Sequence, residues 1–483
     1  MKQLLNLYRP AYVKSLAYML QAVEYSFKDY LNWYWRTPNF GEFVNQNSKF
    51  KFTLKSRLVL ALAWIGVIKL LAIGLWQIGQ WLSGESIAAL FLGTGIIMLV
   101  PMLTAHLLLI PLWLITWLVQ RPAEALAVRT AKKIFAEHHG TTIVIAGSYG
   151  KTSLKHYLAS VLGTKLKVKF TPGNHNTPVG ISKFAAGLEG DEDVLIVEAG
   201  EYKPGDIWQI AELTQPDIGL ITGVNEQHLL RMKSIDNTLN TIFELADWLD
   251  NKNLYVNTES AYIDRRLQKP HITYSREGVG SWRVDSAKTD LKGSSFRLKR
   301  GSETMELKTK LLGLHQIGPV AAAAAIASEL GLSRMDITKG VAAIEAFDRR
   351  FKPRQLSNGA TVIEDNYNGN PDGFLVAIEF LNQLQGVKKR AYVTPGIIEL
   401  GQAAETVHKA IGRELAKSKI DKIYLVANRV TRWMGEGMVE AGRDDAYWVR
   451  EPDEIYNHLG KYAKKGDIIF LQNSPREAFF YQQ

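Results

Sequence analysis

Thr141-Thr142-Ile143-Val144-Ile145-Ala146-Gly147-Ser148-Tyr149-Gly150-Lys151-Thr152-Ser153 decides how this chain is read. A short apolar run, a tight glycine loop and the first turn of a helix follow one another without a gap. The backbone N–H groups of such a loop converge at the positive end of a helix dipole, where phosphate binds. In this pattern the lysine, Lys151, reaches the outer phosphates of a nucleotide, and the Thr152 hydroxyl faces Mg2+. The longer form of the loop has a Gly five residues before its second Gly. That position is Ile145 here, so the motif is the shorter Gly-x-x-Gly-Lys-Thr form. Gly147, Ser148, Gly150, Lys151, Thr152 and Ser153 are accordingly assigned to nucleotide phosphate.

On either side of this loop, from about residue 135 onward, short apolar runs alternate with helical stretches. DVLIVE, DIGLIT and NLYVN follow in turn, with helices expected near 206–213 and 236–249. That alternation predicts a parallel sheet with crossover helices. Residues 271 to 311 change to a period of two (FRLKR, MELKTKL), which predicts a small antiparallel section. An Ala-rich helix is expected from Val320 to Leu330. A second alternating unit runs from about Gly359, through ATVIED, RAYVTPG, KIYLVA and GDIIFLQN. Ligands of open α/β sheets sit at the C-terminal strand ends. Glu198 closes one such strand, placed to ligate Mg2+ or order its water. Asn225, Glu226 and His228 follow another, and a neutral His can take a metal ion. The turn Thr171-Pro172-Gly173-Asn174-His175-Asn176-Thr177-Pro178-Val179-Gly180 carries polar side chains consistent with a cover over phosphates.

The N-terminal part is different in kind. Residues 58–82 carry one charge, Lys69, and residues 87–119 carry no acidic or basic residue. A bilayer core takes about 20 apolar residues, so both runs are long enough to span. Pro101 and Pro111 either kink the second run or split it. The first 57 residues hold nine Lys/Arg against three Asp/Glu, and Arg121, Arg129, Lys132 and Lys133 follow the second run. The positive-inside rule puts both flanks in the cytoplasm, which requires an even number of passes and favours a two-helix hairpin. The segment before it is rich in Tyr and Trp and reads as an interfacial element on anionic lipid, or else as a small helical cap.

The whole chain has 483 residues, a net charge of +10, 46% hydrophobic residues and no cysteine. Wholesale disorder, a disulfide scaffold and thiolate chemistry are excluded. The near-zero mean hydropathy is the average of an apolar part and a polar part. The basic excess before the first apolar run matches anionic membrane lipid, and no nucleic-acid motif is present.

Taken together, these residues resemble the Mur ligase family, the ATP-dependent amide ligases of peptidoglycan precursor synthesis, over about residues 135–483. Arg350-Phe351-Lys352-Pro353-Arg354, Asp365-Asn366-Tyr367-Asn368-Gly369-Asn370-Pro371, Pro395–Gly401 with His408, and Leu314-His315-Gln316 are most similar to the branch that adds D-alanyl-D-alanine. The resemblance implies a P-loop central domain (135–348) and a Rossmann-like C-terminal domain (349–483). An interfacial segment (1–57) and transmembrane helices (58–120) stand in place of the family's uridine-nucleotide domain. It implies ATP and Mg2+, an acyl phosphate made from a substrate carboxylate, and attack by an amino acid or dipeptide amine. Lys151, His228, Arg350 and Asp365 take catalytic positions, and Thr152, Glu198 and His228 the metal positions. Asn174 and Asn176 match the substrate and phosphate loop, and Asn368 and Asn370 lie near the base.

Three positions depart from the family pattern. Ile242 stands where the family has a carbamylated Lys, with Glu244 and Asp247 as the nearby acids that can compensate. Gln472-Asn473-Ser474-Pro475-Arg476 replaces a Lys-Gly-Ser-Arg element. Residues 1–134 carry no uridine-diphosphate pattern, which opens the acceptor to a lipid-linked as well as a UDP-linked peptide. The expected place of action is the bacterial cytoplasmic membrane, with the catalytic domains on the cytoplasmic side. The competing readings are a non-catalytic ATP-binding membrane scaffold or regulator and a poly-amino-acid synthetase on the same core.

Overall fold

The computed structural model describes residues 8, 10–23, 25–36, 52–84, 86–225, 232–264, 271–346, 350–366, 369–397, 400–450, 454–455, 459 and 463–473. They form two compact units, Met1–Leu126 and Ala127–Gln483.

In the first unit two helices are long and apolar enough to cross a membrane, Leu54–Leu82 and the run that begins at Ile87. Each starts on a hydroxyl cap: Thr53 Oγ1 accepts from Ser56 N, and Ser86 Oγ accepts from Ala88 N. Glycine lets the two helices approach closely. A Cβ on Gly93 would stand 2.6 Å from the Gly74 carbonyl, and one on Gly74 would stand 2.7 Å from Ile97 Cγ1. Apolar side chains such as Leu62, Ile68, Leu75, Trp76, Phe91, Met98 and Trp113 point outward.

Pro101 lies inside the helix Ile87–Leu107 and leaves the Ile97 carbonyl without its amide partner. The Tyr8 hydroxyl donates to that carbonyl at 3.0 Å. Leu108 ends this helix three residues before Pro111, and the path continues as Leu109–Ile115 and a π-helical turn, Thr116–Gln120. The second apolar run is therefore bent rather than split into two antiparallel passes.

The aromatic N-terminal segment folds as helices Pro10–Ala22 and Phe27–Arg36. Tyr12, Leu16, Leu20, Tyr30 and Tyr34 bury against Val59, Ala63, Ala105, Leu108 and Leu112. The segment is thus a helical layer on the hairpin. Its tyrosines serve as hydrogen-bond donors to the apolar helix, with Tyr30 Oη donating to Ala105 O at 3.2 Å.

The second unit holds two sheets. The first has β1 (Thr141–Ala146), β2 (Val168–Phe170), β3 (Val194–Glu198), β4 (Ile218–Ile221), β5 (Leu254–Asn257) and β6 (Ile272–Ser275). An antiparallel run continues it: β7 (Gly278–Val279), β8 (Trp282–Asp290), β9 (Gly293–Arg300) and β10 (Glu303–Thr309). The order is β10-β9-β8-β7-β6-β5-β4-β1-β3-β2. Strands β1, β3, β4 and β5 are buried runs rather than alternating ones, as expected of a parallel sheet covered on both faces, and the edge strand β2 is half-buried. Helices Lys151–Leu162 and Ile317–Glu329 pack one face. Helices Pro178–Ala185, Asp206–Thr214 and Ile235–Trp248 pack the other. The Ala-rich helix is buried all round from Val320 to Ala327, its small side chains admitting close contact.

The second sheet has β11 (Lys352–Gln355), β12 (Thr361–Asp365), β13 (Arg390–Thr394), β14 (Lys422–Val426), β15 (Tyr447–Val449) and β16 (Ile468–Gln472). Its order is β11-β12-β16-β13-β14-β15, with only β11 antiparallel. Helices Pro371–Gln383, Ala404–Lys417 and Arg429–Glu440 supply its main core.

Candidate active site

β1 pairs with β3 on one side and β4 on the other, so the chain leaves β1 at the point where strand order reverses. A crevice opens there, outside the C-terminal strand ends. A cavity of about 1270 Å³ fills it, lined from the first sheet by Ser148–Leu154, Asn174, Asn176, Glu198 and Glu201, and from the second by Arg350, Asp365, Asn370 and Asp372.

The loop after β1 takes its shape from two glycines. Gly150, at the N-cap of the helix Lys151–Leu162, has φ 82°, and Gly147 has φ 139°. A side chain on Gly147 would run into the Thr222 hydroxyl at the end of β4. The Ser148 hydroxyl is buried without a partner on the cavity wall.

Lys151 is buried and donates to the Gly147 carbonyl and, at 2.8 Å, to Glu201 Oε2. One helical turn on, Lys155 is fully buried. Its three N–H bonds go to Thr171 O at 2.8 Å, Gly173 O at 3.0 Å and Glu198 Oε2 at 2.9 Å. Glu198 also accepts the Thr152 hydroxyl at 3.1 Å. Lys155 thereby ties together the phosphate-loop helix, the 171–177 turn and the acid at the end of β3. Neither Lys155 nor Glu201 was singled out from sequence. Their only signals there are the i, i+4 spacing of two lysines on one helix face and the matching pair of acids three residues apart.

Asn176 is buried and accepts the Tyr202 hydroxyl at 3.2 Å, and Asn174 lines the cavity beside it. From the second sheet Arg350 Nη1 donates to Ser153 Oγ at 3.1 Å. Asp365, at the end of β12, accepts from Gln472 Nε2 at 2.6 Å. Burial pushes its carboxyl up to about 6, against the pull of the Gln472 hydrogen bond and the Arg350 charge. Asn370 caps the helix Pro371–Gln383 through Gly373 N, a structural use of a side chain that also lines the cavity. The cavity's far side holds Arg276, paired with Glu259 and Glu379, and His315 against the Phe351 ring. Burial, helped by the Arg276 charge, pushes His315 down to about 3, so it is neutral.

Other residues prove structural. His408 is buried, accepts from Ile397 N through Nε2 and so anchors the loop after β13. Ile242 is fully buried in the apolar core under the first sheet. Glu244 does not take the place of a carbamylated lysine, because its two oxygens cap the helix Asp206–Thr214 through Gly205 N and Trp208 N. His228 and Asn368 lie outside the described residues, as do Glu226 and Ser474-Pro475-Arg476.

Among the described residues no three His, Asp or Glu side chains form a ready metal cage. The donors present still suit Mg2+, which takes one or two protein oxygens and fills the rest of its shell with phosphate and water. Thr152 and Glu198 are such hard oxygen donors, side by side next to the phosphate loop.

Two family models match the chain: the Mur ligase middle domain over residues 145–327, and the Mur ligase glutamate ligase domain over residues 349–474. The chain is 25% identical over 352 residues to the UDP-N-acetylmuramoyl-tripeptide--D-alanyl-D-alanine ligase of Bacillus subtilis, covering 72% of this chain and 76% of the relative. It is 28% identical over 360 residues to the protein of the same name from Mycobacterium tuberculosis, covering 69% and 71%. Among solved structures, MurF from Acinetobacter baumannii superposes with a TM-score of 0.63 at 21% identity, covering 74% of this chain and 78% of that one. MurF ligase from Thermotoga maritima in complex with ADP gives the same TM-score and identity, covering 74% and 81%. At this identity the likeness establishes the fold.

Proposed function

Because the chain belongs to the Mur ligase family of ATP-dependent ligases, we propose that it joins a peptide carboxylate to an amine through an acyl phosphate, at a membrane, in cell-wall precursor synthesis. The observation that carries this reading is the meeting of Lys151 and Arg350 on one cavity. Arg350 comes from the second sheet, yet its guanidinium reaches Ser153, two residues beyond Lys151. Two cations from two domains then face one phosphoryl group.

Phosphoryl transfer needs positioning and charge stabilisation more than covalent help from the protein. The loop amides from Ser148 to Thr152 cradle the polyphosphate. Lys151 and Arg350 offset the charge that spreads over the transferring group. Thr152 and Glu198, with His228 as the third position that the family resemblance implies, would hold Mg2+, which would supply further neutralisation of phosphate charge. Asn174 and Asn176 orient the acceptor carboxylate in line. Asn370, on the cavity wall, is the residue available to the nucleotide base, with Asn368 the second position that the family resemblance implies for it. Asp365, whose carboxyl burial pushes up to about 6, is suited to take the proton from the incoming ammonium. The free amine attacks the acyl carbon, the C–N bond forms, the C–O bond to phosphate breaks, and the second amine proton leaves with the phosphate.

The relatives are named for a UDP-N-acetylmuramoyl-tripeptide and D-alanyl-D-alanine, so a glycan-linked peptide and a dipeptide amine are the substrates of choice. The outward apolar faces of the two long helices support a bilayer anchor, which also admits a lipid-linked acceptor. The basic flanks put the catalytic unit on the cytoplasmic side, next to anionic lipid. One observation favours a non-catalytic ATP-binding scaffold, the buried Ile242.

The test is ADP formation by the detergent-solubilised chain with UDP-linked and lipid-linked peptides, with and without D-alanyl-D-alanine. The expected result is release that needs both substrates and falls about a hundredfold to a thousandfold in Lys151→Ala. No release above that variant with either acceptor would leave the scaffold reading.

A further inference from the structure

The two lysine–glutamate pairs beside the phosphate loop are built alike but not satisfied alike. Lys155 uses all three of its N–H bonds on fixed acceptors. Lys151 has two acceptors among the described residues. Its partner Glu201 is only 2% exposed and lies on the cavity wall. One Glu201 oxygen takes Lys151, and the other, Oε1, is buried with no hydrogen-bond partner. A buried carboxylate with an unused oxygen costs free energy, and sites keep such groups where a ligand completes them.

The consequence appears when a polyphosphate occupies the loop. Lys151 is the cation that meets the outer phosphates, and Glu201 already neutralises it at 2.8 Å. A bare polyphosphate brings several negative charges to within a few ångströms of Glu201, in a region of low dielectric where repulsion is strong. A polyphosphate that arrives with a divalent cation brings its own counter-charge, and Glu201 Oε1 is a free hard oxygen for that cation or its water.

We propose that Glu201 is a specificity residue that makes this site selective for metal-complexed nucleotide over free nucleotide. It cancels Lys151 in the empty site and disfavours bare polyphosphate, and the divalent cation relieves the repulsion. The inference rests on the reading of Lys151 as the nucleotide-phosphate lysine.

Equilibrium binding of ATP to the full detergent-solubilised chain, once in EDTA and once in excess Mg2+, tests it. Wild type should bind ATP far more weakly in EDTA. Glu201→Gln keeps the shape and an acceptor for Lys151 but removes the charge. It should shrink the Mg2+-to-EDTA affinity ratio by about tenfold or more, mainly through tighter binding in EDTA. Glu201→Ala should shift the ratio in the same direction, and thermal unfolding of both variants reports whether they are folded.

Unchanged ratios in folded variants would overturn the proposal, and so would equal weakening under both conditions, which would make Glu201 only a support for Lys151. Wild type binding free ATP as tightly as Mg2+–ATP overturns it without any variant. Lys151→Ala separates the two layers. If it abolishes binding in both conditions while the Glu201 variants leave the ratio intact, the nucleotide reading stands and the Glu201 proposal falls. No ATP binding by wild type in either condition overturns both.

Discussion

The two units of this chain face the same problem, buried polar groups, and solve it with different chemistry. Among the described residues of the first unit, many large apolar side chains of the two long helices are exposed, and the polar groups at issue are backbone carbonyls of the bent apolar helix. Neutral tyrosine hydroxyls of the N-terminal segment meet them: Tyr8 donates to Ile97 O, which Pro101 leaves without an amide partner, and Tyr30 donates to Ala105 O. In residues 127–483 the surface is polar and the core contains ions. Lys155–Glu198 and Lys151–Glu201 are paired charges with almost no exposure. Where surroundings are apolar on every side, a neutral donor satisfies an acceptor at the least desolvation cost. Where a site must hold phosphate, fixed charges are required, and each must be paired in the empty state.

The comparison can be broken most sharply at Lys155. Lys155→Met leaves Glu198 buried and unpaired and releases the 171–177 turn, and it should destabilise the second unit by about 4 kcal/mol. Chemical denaturation followed by a probe attached to that unit checks this. A loss under about 1 kcal/mol would mean that Lys155 is not the tie described. The first unit should respond to packing instead. Gly93→Leu places a side chain against the Gly74 carbonyl and should cost about 2 kcal/mol of hairpin stability. ATP affinity should not change, and a parallel drop in affinity would contradict the separate accounting of the two units.

The smallest expected effect is at Asp365. Its carboxyl is raised in the folded chain, so the native state holds this proton more tightly than the unfolded chain does. Stability from this group is therefore greatest at low pH and declines as pH rises from the ordinary Asp range through about 6. Activity should run the other way, with an acid limb near pH 6 in kcat/KM as the carboxylate form appears. Asp365→Asn should remove that limb, and an unaltered limb would assign it to another group.

Much of this was legible in the sequence because the signals are contiguous. The phosphate loop, the buried β-runs and the two apolar helices each occupy one stretch of chain with its own composition and period. The less legible features are made by tertiary closure. Glu198 could be read as a strand-end acid, but Lys155 and Glu201 acquire meaning only when the helix after β1 lies beside the end of β3. Glu244 looked available as a replacement acid, yet a helix N-terminus had already claimed it. The N-terminal tyrosines looked interfacial by composition. In the structure the Tyr8 hydroxyl meets the carbonyl that Pro101 leaves free in the helix Ile87–Leu107, a pairing 89 residues apart that no local pattern carries.

The central claim is that a carboxylate is activated by phosphorylation at Lys151. Its most direct test uses an acceptor peptide whose reacting carboxylate carries 18O, incubated with the solubilised chain, ATP, Mg2+ and the amine. If an acyl phosphate forms, one labelled oxygen leaves with the phosphate, and mass spectrometry of the released inorganic phosphate finds 18O in proportion to the amide made. Amide formation with unlabelled inorganic phosphate, or label appearing in AMP, would contradict the account.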